Sequence, residues 1–107
     1  MKGLTPATVE DAAGLVDYQD GSIVSRVIVK QPSGNITIFA FEQGEALSEH
    51  KAPYDALVHV LDGEAAITVD GKEHQVKAGH MILLPANVPH ALHATRRFKM
   101  VLTMIRN

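Results

Sequence analysis

The chain contains no cysteine. That absence excludes a disulfide framework, a thiolate zinc site and a cysteine nucleophile, and it leaves either redox compartment open. Charge of one sign is missing too: 10 basic side chains stand against 12 acidic ones, for a formal net charge of −2. The densest basic group is Arg96, Arg97 and Lys99, which is no phosphate-tracking stripe, so nucleic acid is not expected as a partner. No apolar run approaches the roughly 20 residues needed to span a bilayer, and Met1 to Asp20 lacks the continuous apolar stretch of a signal peptide. A soluble cytoplasmic protein without a membrane partner is expected. The chain does have enough apolar material for one core, with 107 residues of which 46% are hydrophobic. At that length roughly 60 to 70% of the unfolded surface is hidden on folding, so one domain forms without metal or disulfide staples.

From Ser22 onward, short runs rich in Val, Ile, Phe and Thr recur between Gly, Pro and Asp punctuation, the pattern of many short strands. Strands are expected at Ser22–Lys30, Asn35–Glu42, Leu47–His50, Asp55–Asp62, Ala65–Val69, Glu73–Lys77, Met81–Leu84, His90–Thr95 and Phe98–Ile105. Asp70-Gly71 supplies the positive φ angles of a type I′ hairpin. Before the sheet, residues 1–20 form an N-terminal segment in which Thr5-Pro6 caps a short helix ending near Gly14. Residues 21–107 form the β domain. Ile36, Ile38 and Ala40 lie on one side of their strand, with Phe39 and Phe41 on the other. A strand apolar on both faces needs cover, either from a second sheet with a terminal strand or from another copy of the protein, so a homodimer is expected.

Two glycine-anchored segments carry a resemblance. Gly44 is followed by His50, then by Ala52 and Ala56, and closes at Gly63; Gly79 is followed by Pro85, Asn87, His90 and Ala94. In register and separation these are similar to the two motifs of the cupins, RmlC-like jelly-roll β-barrels, and the similarity extends over Asn35 to Ile105. The resemblance implies an all-β jelly-roll barrel. It also implies four metal ligands: two His and a Glu from the first motif, one His from the second. Carried over position by position, His50 and His90 are retained, whereas the second His is Ala52 and the Glu is Ala56. Asn87 replaces the second motif's internal glycine and Ala94 its final Asn. The first motif is therefore degenerate as a metal site.

Strand alternation places His50, Ala52, Ala56, Val58 and Val60 on the inward face and turns Asp55 and His59 away; it groups His90 with Leu92 and Ala94 and turns His93 outward. His50 and His90 are the candidate metal ligands, for a weakly bound divalent ion such as Fe, Mn, Ni or Zn, and also the candidate ligand-binding pair. Tyr54 and Asp55 complete the candidate ligand-binding set at the barrel mouth, Tyr54 for stacking or hydrogen bonding and Asp55 for acid–base work or, through a bulge, as a replacement metal ligand. The alternative for both is a turn aspartate and a rim-packing tyrosine. His59 and His93 read as a surface pair or as interface residues, Arg96-Arg97 as a solvated turn or an anion-binding rim, and Met81, Met100 and Met104 as core fillers.

The function this supports is a small-molecule binding or sensing cupin with a reduced, weak or absent metal site at the barrel centre. The alternative is a metal-dependent dioxygenase or isomerase acting on a small polar substrate. Fold analogy does not choose the ligand, because function resides in the site.

Overall fold

The computed structural model describes residues 3–106. Its strands are β1 (Ile23–Gln31), β2 (Gly34–Phe41), β3 (Ala46–His50), β4 (Asp55–Val69), β5 (Lys72–Lys77), β6 (Met81–Leu84), β7 (His90–His93) and β8 (Phe98–Ile105). Every pairing is antiparallel. The long strand β4 is shared: its first half pairs with β6 and β8, its second with β5 and β7. One sheet, β1-β2-β8-β4-β6, is thereby joined to another, β5-β4-β7-β3, and the two curl into a jelly-roll barrel.

The strands expected at Asp55–Asp62 and Ala65–Val69 are one strand. Glycine at 63 suggests a break, but pairing continues through it, with a register shift between Val60 and Asp62. Gly63 has φ +72°, and a Cβ there would collide with the carbonyl oxygen of Arg97. Lacking a side chain, it lets the strand bend from one sheet into the other without losing its ladder. At the far end of β4, Asp70 (φ 50°) and Gly71 (φ 80°) make the expected tight hairpin into β5.

The barrel interior is filled by Phe41, Val58, Val60, Ile67, Phe98 and Met100, all fully buried or nearly so. Phe41 of β2 and Phe98 of β8 are cross-strand partners whose rings stack with centroids 4.5 Å apart and planes 14° from parallel. On the other side of β2, Ile38 and Ala40 are fully buried as well. Their cover is neither of the two sources expected from sequence. Leu15, Val16 and Tyr18 of the N-terminal segment pack on them with Val24, Ile28 and Val101.

The described residues of that segment contain one 3₁₀ turn, Ala12–Leu15, in place of a helix from Thr5 to Gly14. Ala7 takes a positive φ of 57° and the Leu4 N–H donates to the Ile28 carbonyl on the β1 edge, which draws the chain into an extended path. Tyr18 fastens the segment. Its hydroxyl donates to Asp62 Oδ2 at 2.5 Å, and the Arg97 guanidinium lies 4.2 Å from its ring centroid. Burial, followed by the Asp62 contact, pushes the Tyr18 pKa up.

Met81 departs from its expected place in the core, being 57% exposed on the outer face of β6. Met100 is buried inside the barrel and Met104 packs against the same cluster. Among the described residues, no helix is long and apolar enough to cross a membrane.

Candidate functional site

His50 is the last residue of β3 and His90 the first of β7, and the two are direct cross-strand partners. A register irregularity between Leu47 and His50 delivers the His50 ring to the mouth of the barrel, where it is exposed, while His90 is 7% exposed. The rings meet edge to face, with centroids 4.4 Å apart and Nε2 atoms 3.2 Å apart.

The tautomers follow from the other nitrogens. His50 Nδ1 lies 2.9 Å from the Ser48 carbonyl oxygen, and His90 Nδ1 lies 3.2 Å from that of Val88. A carbonyl oxygen only accepts, so each Nδ1 carries a proton and donates it. In their neutral forms both rings then present an unprotonated Nε2, and the two lone pairs converge. Burial holds the His90 pKa below its ordinary value, the Val88 carbonyl opposes that shift, and charge on His50 adds to it.

Below the rings is a cavity of about 200 Å³. Ala52, Ala56, Val58, Leu84, Leu92, Met100, Leu102 and Met104 wall it, with Leu47 and Pro53; His50, His90, Lys51 and Tyr54 are its polar members. Ala56, Val58 and Leu84 come from β4 and β6, while Met100, Leu102 and Met104 occupy alternate positions of β8. Sequence reasoning assigned no site role to these β8 residues, although their alternation from the buried Met100 was there to read.

Of the four candidate site residues, His50, His90 and Tyr54 converge on the cavity. Asp55 does not line it. Its carboxylate accepts the Ala86 N–H at 2.9 Å, so it fastens the loop before β4 to the loop before β7. A second tie runs between the same loops, from the Asn87 N–H to the Ala52 carbonyl at 2.7 Å. Asn87 adopts φ 64°, a conformation glycine takes freely and Asn tolerates better than other side chains, which explains how it stands where the motif has a glycine.

The other sequence candidates lie elsewhere. His59 pairs with Met81 and Val101 in one sheet and His93 with Ala46 and Ala66 in the other, so they form no common site. Arg97 is held by Glu42 through two hydrogen bonds of 3.1 and 2.6 Å, while its guanidinium covers Tyr18.

The Cupin domain family, Cupin_2, matches residues 37–106, the stretch that carries β3, β4, β7 and the imidazole pair. The chain is a cupin. Its structure is similar to that of a conserved protein of unknown function, SPY1581, from Streptococcus pyogenes, at 33% identity and a TM-score of 0.93 over 98% of this chain and 92% of that one. It is also similar to a cupin 2 conserved barrel domain protein from Leptotrichia buccalis, at 52% identity and a TM-score of 0.85, covering 88% of this cupin and 46% of that chain. Among curated proteins, a polyketide synthase, CurC, of Streptomyces cyaneus is 27% identical over 70 residues, or 64% of this chain. This cupin spans 46% and 62% of the lengths of the two curated relatives it matches.

The donor set decides how far a metal centre fits. Two imidazole nitrogens bound to one ion at ~2.0–2.1 Å with angles of ~90–110° stand roughly 2.9 to 3.4 Å apart, and 3.2 Å falls within that span. Backbone carbonyls on the distal nitrogens are the usual support for ligating imidazoles. The remaining corners are not supplied by the described residues. Ala52 and Ala56 have no donor atoms, Asp55 is turned onto Ala86, and the described residues contain no group of three potential ligands. These residues fit half of a cupin metal centre.

Proposed function

We propose that this cupin binds a small organic molecule in the cavity beneath His50 and His90. The observation that carries the reading is an apolar cavity with one concentrated polar feature, the imidazole pair, at its mouth. Small-molecule sites have this character, apolar walls with a few convergent polar groups that fix orientation. At about 200 Å³ the cavity is smaller than the ~300–1,000 Å³ of drug-sized sites, so its occupant is small. Alanine at 52 and 56 leaves apolar wall where a metal-binding cupin has a His and a Glu.

A small-molecule thermal-shift screen tests the proposal. A ligand at 100 times its Kd stabilises the fold by about 2.7 kcal/mol. The effect should vanish in Ala56→Leu, whose larger side chain fills the cavity. Stabilisation that survives this substitution would place binding elsewhere and reject the reading.

The convergence of two Nε2 lone pairs at 3.2 Å favours a second reading, a metal-dependent dioxygenase or isomerase in which His50 and His90 hold a divalent ion weakly. Running the thermal-shift screen with and without Zn²⁺, Mn²⁺, Fe²⁺ or Ni²⁺ distinguishes the two: the first reading expects stabilisation by an organic ligand alone, the second only when the ion is present.

We also infer a homodimer formed through the outer face of the first sheet. Register places Val29, Ile36, Thr103, Leu57 and Leu83 in one row across five strands, with Met81 and Ile105 nearby. Leu83, Met81 and Ile105 are each more than half exposed. The residues of the row carry no formal charge and Asp55, the cross-strand partner of Ile105, adds one carboxylate at its edge, so the patch suits a second copy of itself better than a highly charged partner.

A further inference from the structure

We infer that the occupant of the cavity is a small monocarboxylic acid with an apolar body, its carboxyl group seated against His50 Nε2 and His90 Nε2. This rests on the reading of the cavity as a ligand site and adds the chemical class of the ligand.

The first argument is the hydrogen-bond inventory. Because Ser48 and Val88 take both Nδ1 protons, the neutral rings offer the cavity acceptors alone. Two lone pairs 3.2 Å apart repel unless a donor or a cation stands between or beside them. A neutral carbonyl ligand would add a third acceptor and gains nothing there. The O–H of a carboxylic acid supplies the missing donor. Near neutral pH the ligand arrives as its carboxylate and one proton is taken up from water with it; that proton sits on the acid oxygen or on an Nε2 beside the carboxylate, and no other bond changes.

The second argument is charge. The titratable groups lining the cavity are His50, Lys51, Tyr54 and His90; β4, β6 and β8 contribute apolar side chains only. Lys51 makes the mouth cationic, and Arg106 lies 5.4 Å from the Tyr54 ring centroid at the same rim. No carboxylate lines the cavity to balance a dication or an ammonium ligand: Glu49 and Asp55, next in sequence to lining residues, lie outside it, and Asp55 is taken up by the Ala86 N–H. An anion is attracted to this positive rim.

The third argument is shape. About 200 Å³ equals roughly seven water volumes of ~30 Å³, which suits a body of on the order of seven to ten non-hydrogen atoms. The walls of Val58, Leu84, Met100, Leu102 and Met104 offer no partner to a second charge, so a dicarboxylate is disfavoured.

Calorimetry with benzoate, hexanoate, acetophenone, benzylamine, toluene and Zn²⁺ tests the inference. Benzoate and hexanoate should bind at least tenfold more tightly than acetophenone, which has an acceptor and no donor, and benzylamine should not bind measurably. His50→Phe, which keeps a ring at the exposed mouth but removes the acceptor, should weaken benzoate at least tenfold more than it changes toluene. Lys51→Gln should weaken benzoate severalfold more than it changes toluene. If toluene binds and Ala56→Leu abolishes its binding while benzoate is no better than acetophenone, the cavity reading stands and the carboxylic acid assignment falls. If no organic probe binds but Zn²⁺ does, both fall.

Discussion

His50 and His90 face each other as acceptors, Nε2 to Nε2 at 3.2 Å, because the backbone carbonyls of Ser48 and Val88 occupy both distal N–H groups. The barrel fixes this opposition through cross-strand pairing of the two residues. A site so poised responds to protons, to metal ions and to ligands that donate a hydrogen bond, and each response can be measured.

Protons come first. Burial lowers the folded-state pKa of His90 below the ordinary 6.5 that it has in the unfolded chain. The unfolded state therefore binds more protons over the interval between 6.5 and the lower folded value, so stability rises with pH across that interval and levels off above it. The Tm should be higher at pH 8 than at about pH 5.5, and His90→Asn should flatten the difference. A wild-type Tm that rises on acidification would contradict the sign.

Metal affinity should be recoverable. Ala56 is buried on the cavity wall and Ala52 lines the same space, so Ala52→His with Ala56→Glu places two further donors around the imidazole pair. Wild type should bind Zn²⁺ or Ni²⁺ weakly. The double variant should exceed it by more than the ~10–100-fold that loss of a hydrogen bond supporting a metal ligand costs. Equal affinities in calorimetry would mean that the backbone at 52 and 56 does not point new ligands at the pair.

The stack of Phe41 on Phe98 sets the stability of the barrel interior. Truncating Phe98→Ala leaves a cavity in a fully buried site and should cost about 3–5 kcal/mol, measured by urea denaturation. A loss below about 1 kcal/mol would show that the core collapses to refill the space.

Asn87 offers a smaller and more selective change. At φ 64°, Asn87→Ala should destabilise by about 1–2 kcal/mol through the left-handed backbone, whereas Asn87→Gly should be close to neutral. Equal losses in both variants would mean that the Asn side chain, not its backbone, matters to the loop.

The apolar outer face should pair two chains. Leu83→Glu puts a charge at the exposed β6 end of that row and should convert a dimer to a monomer in light scattering, with little change in the Tm of the isolated barrel. A monomeric wild type at micromolar concentration would remove the interface.

Alternation alone determined much of this protein. The period-two pattern and turn residues delimited β6 and β8 and set the inward parity of His50, Ala56, Val58 and His90, because each strand turns successive side chains to opposite faces. Glycine spacing located the two motifs. Other features depended on contacts between segments distant in sequence. Gly63 reads locally as a break, and only the approach of the Arg97 carbonyl, just before β8, shows why it is a bend within β4. Ile38 and Ala40 announced that they needed cover, but their partners Leu15, Val16 and Tyr18 were set by a non-local latch to Asp62 and Arg97. Asp55 could be placed near the mouth from sequence, yet its carboxylate faces Ala86 because two loops meet there. The 3.2 Å approach of two acceptors was likewise beyond sequence, since it arises from the pairing of β3 with β7 and from two carbonyls, Ser48 in β3 and Val88 in the loop before β7, that face the rings.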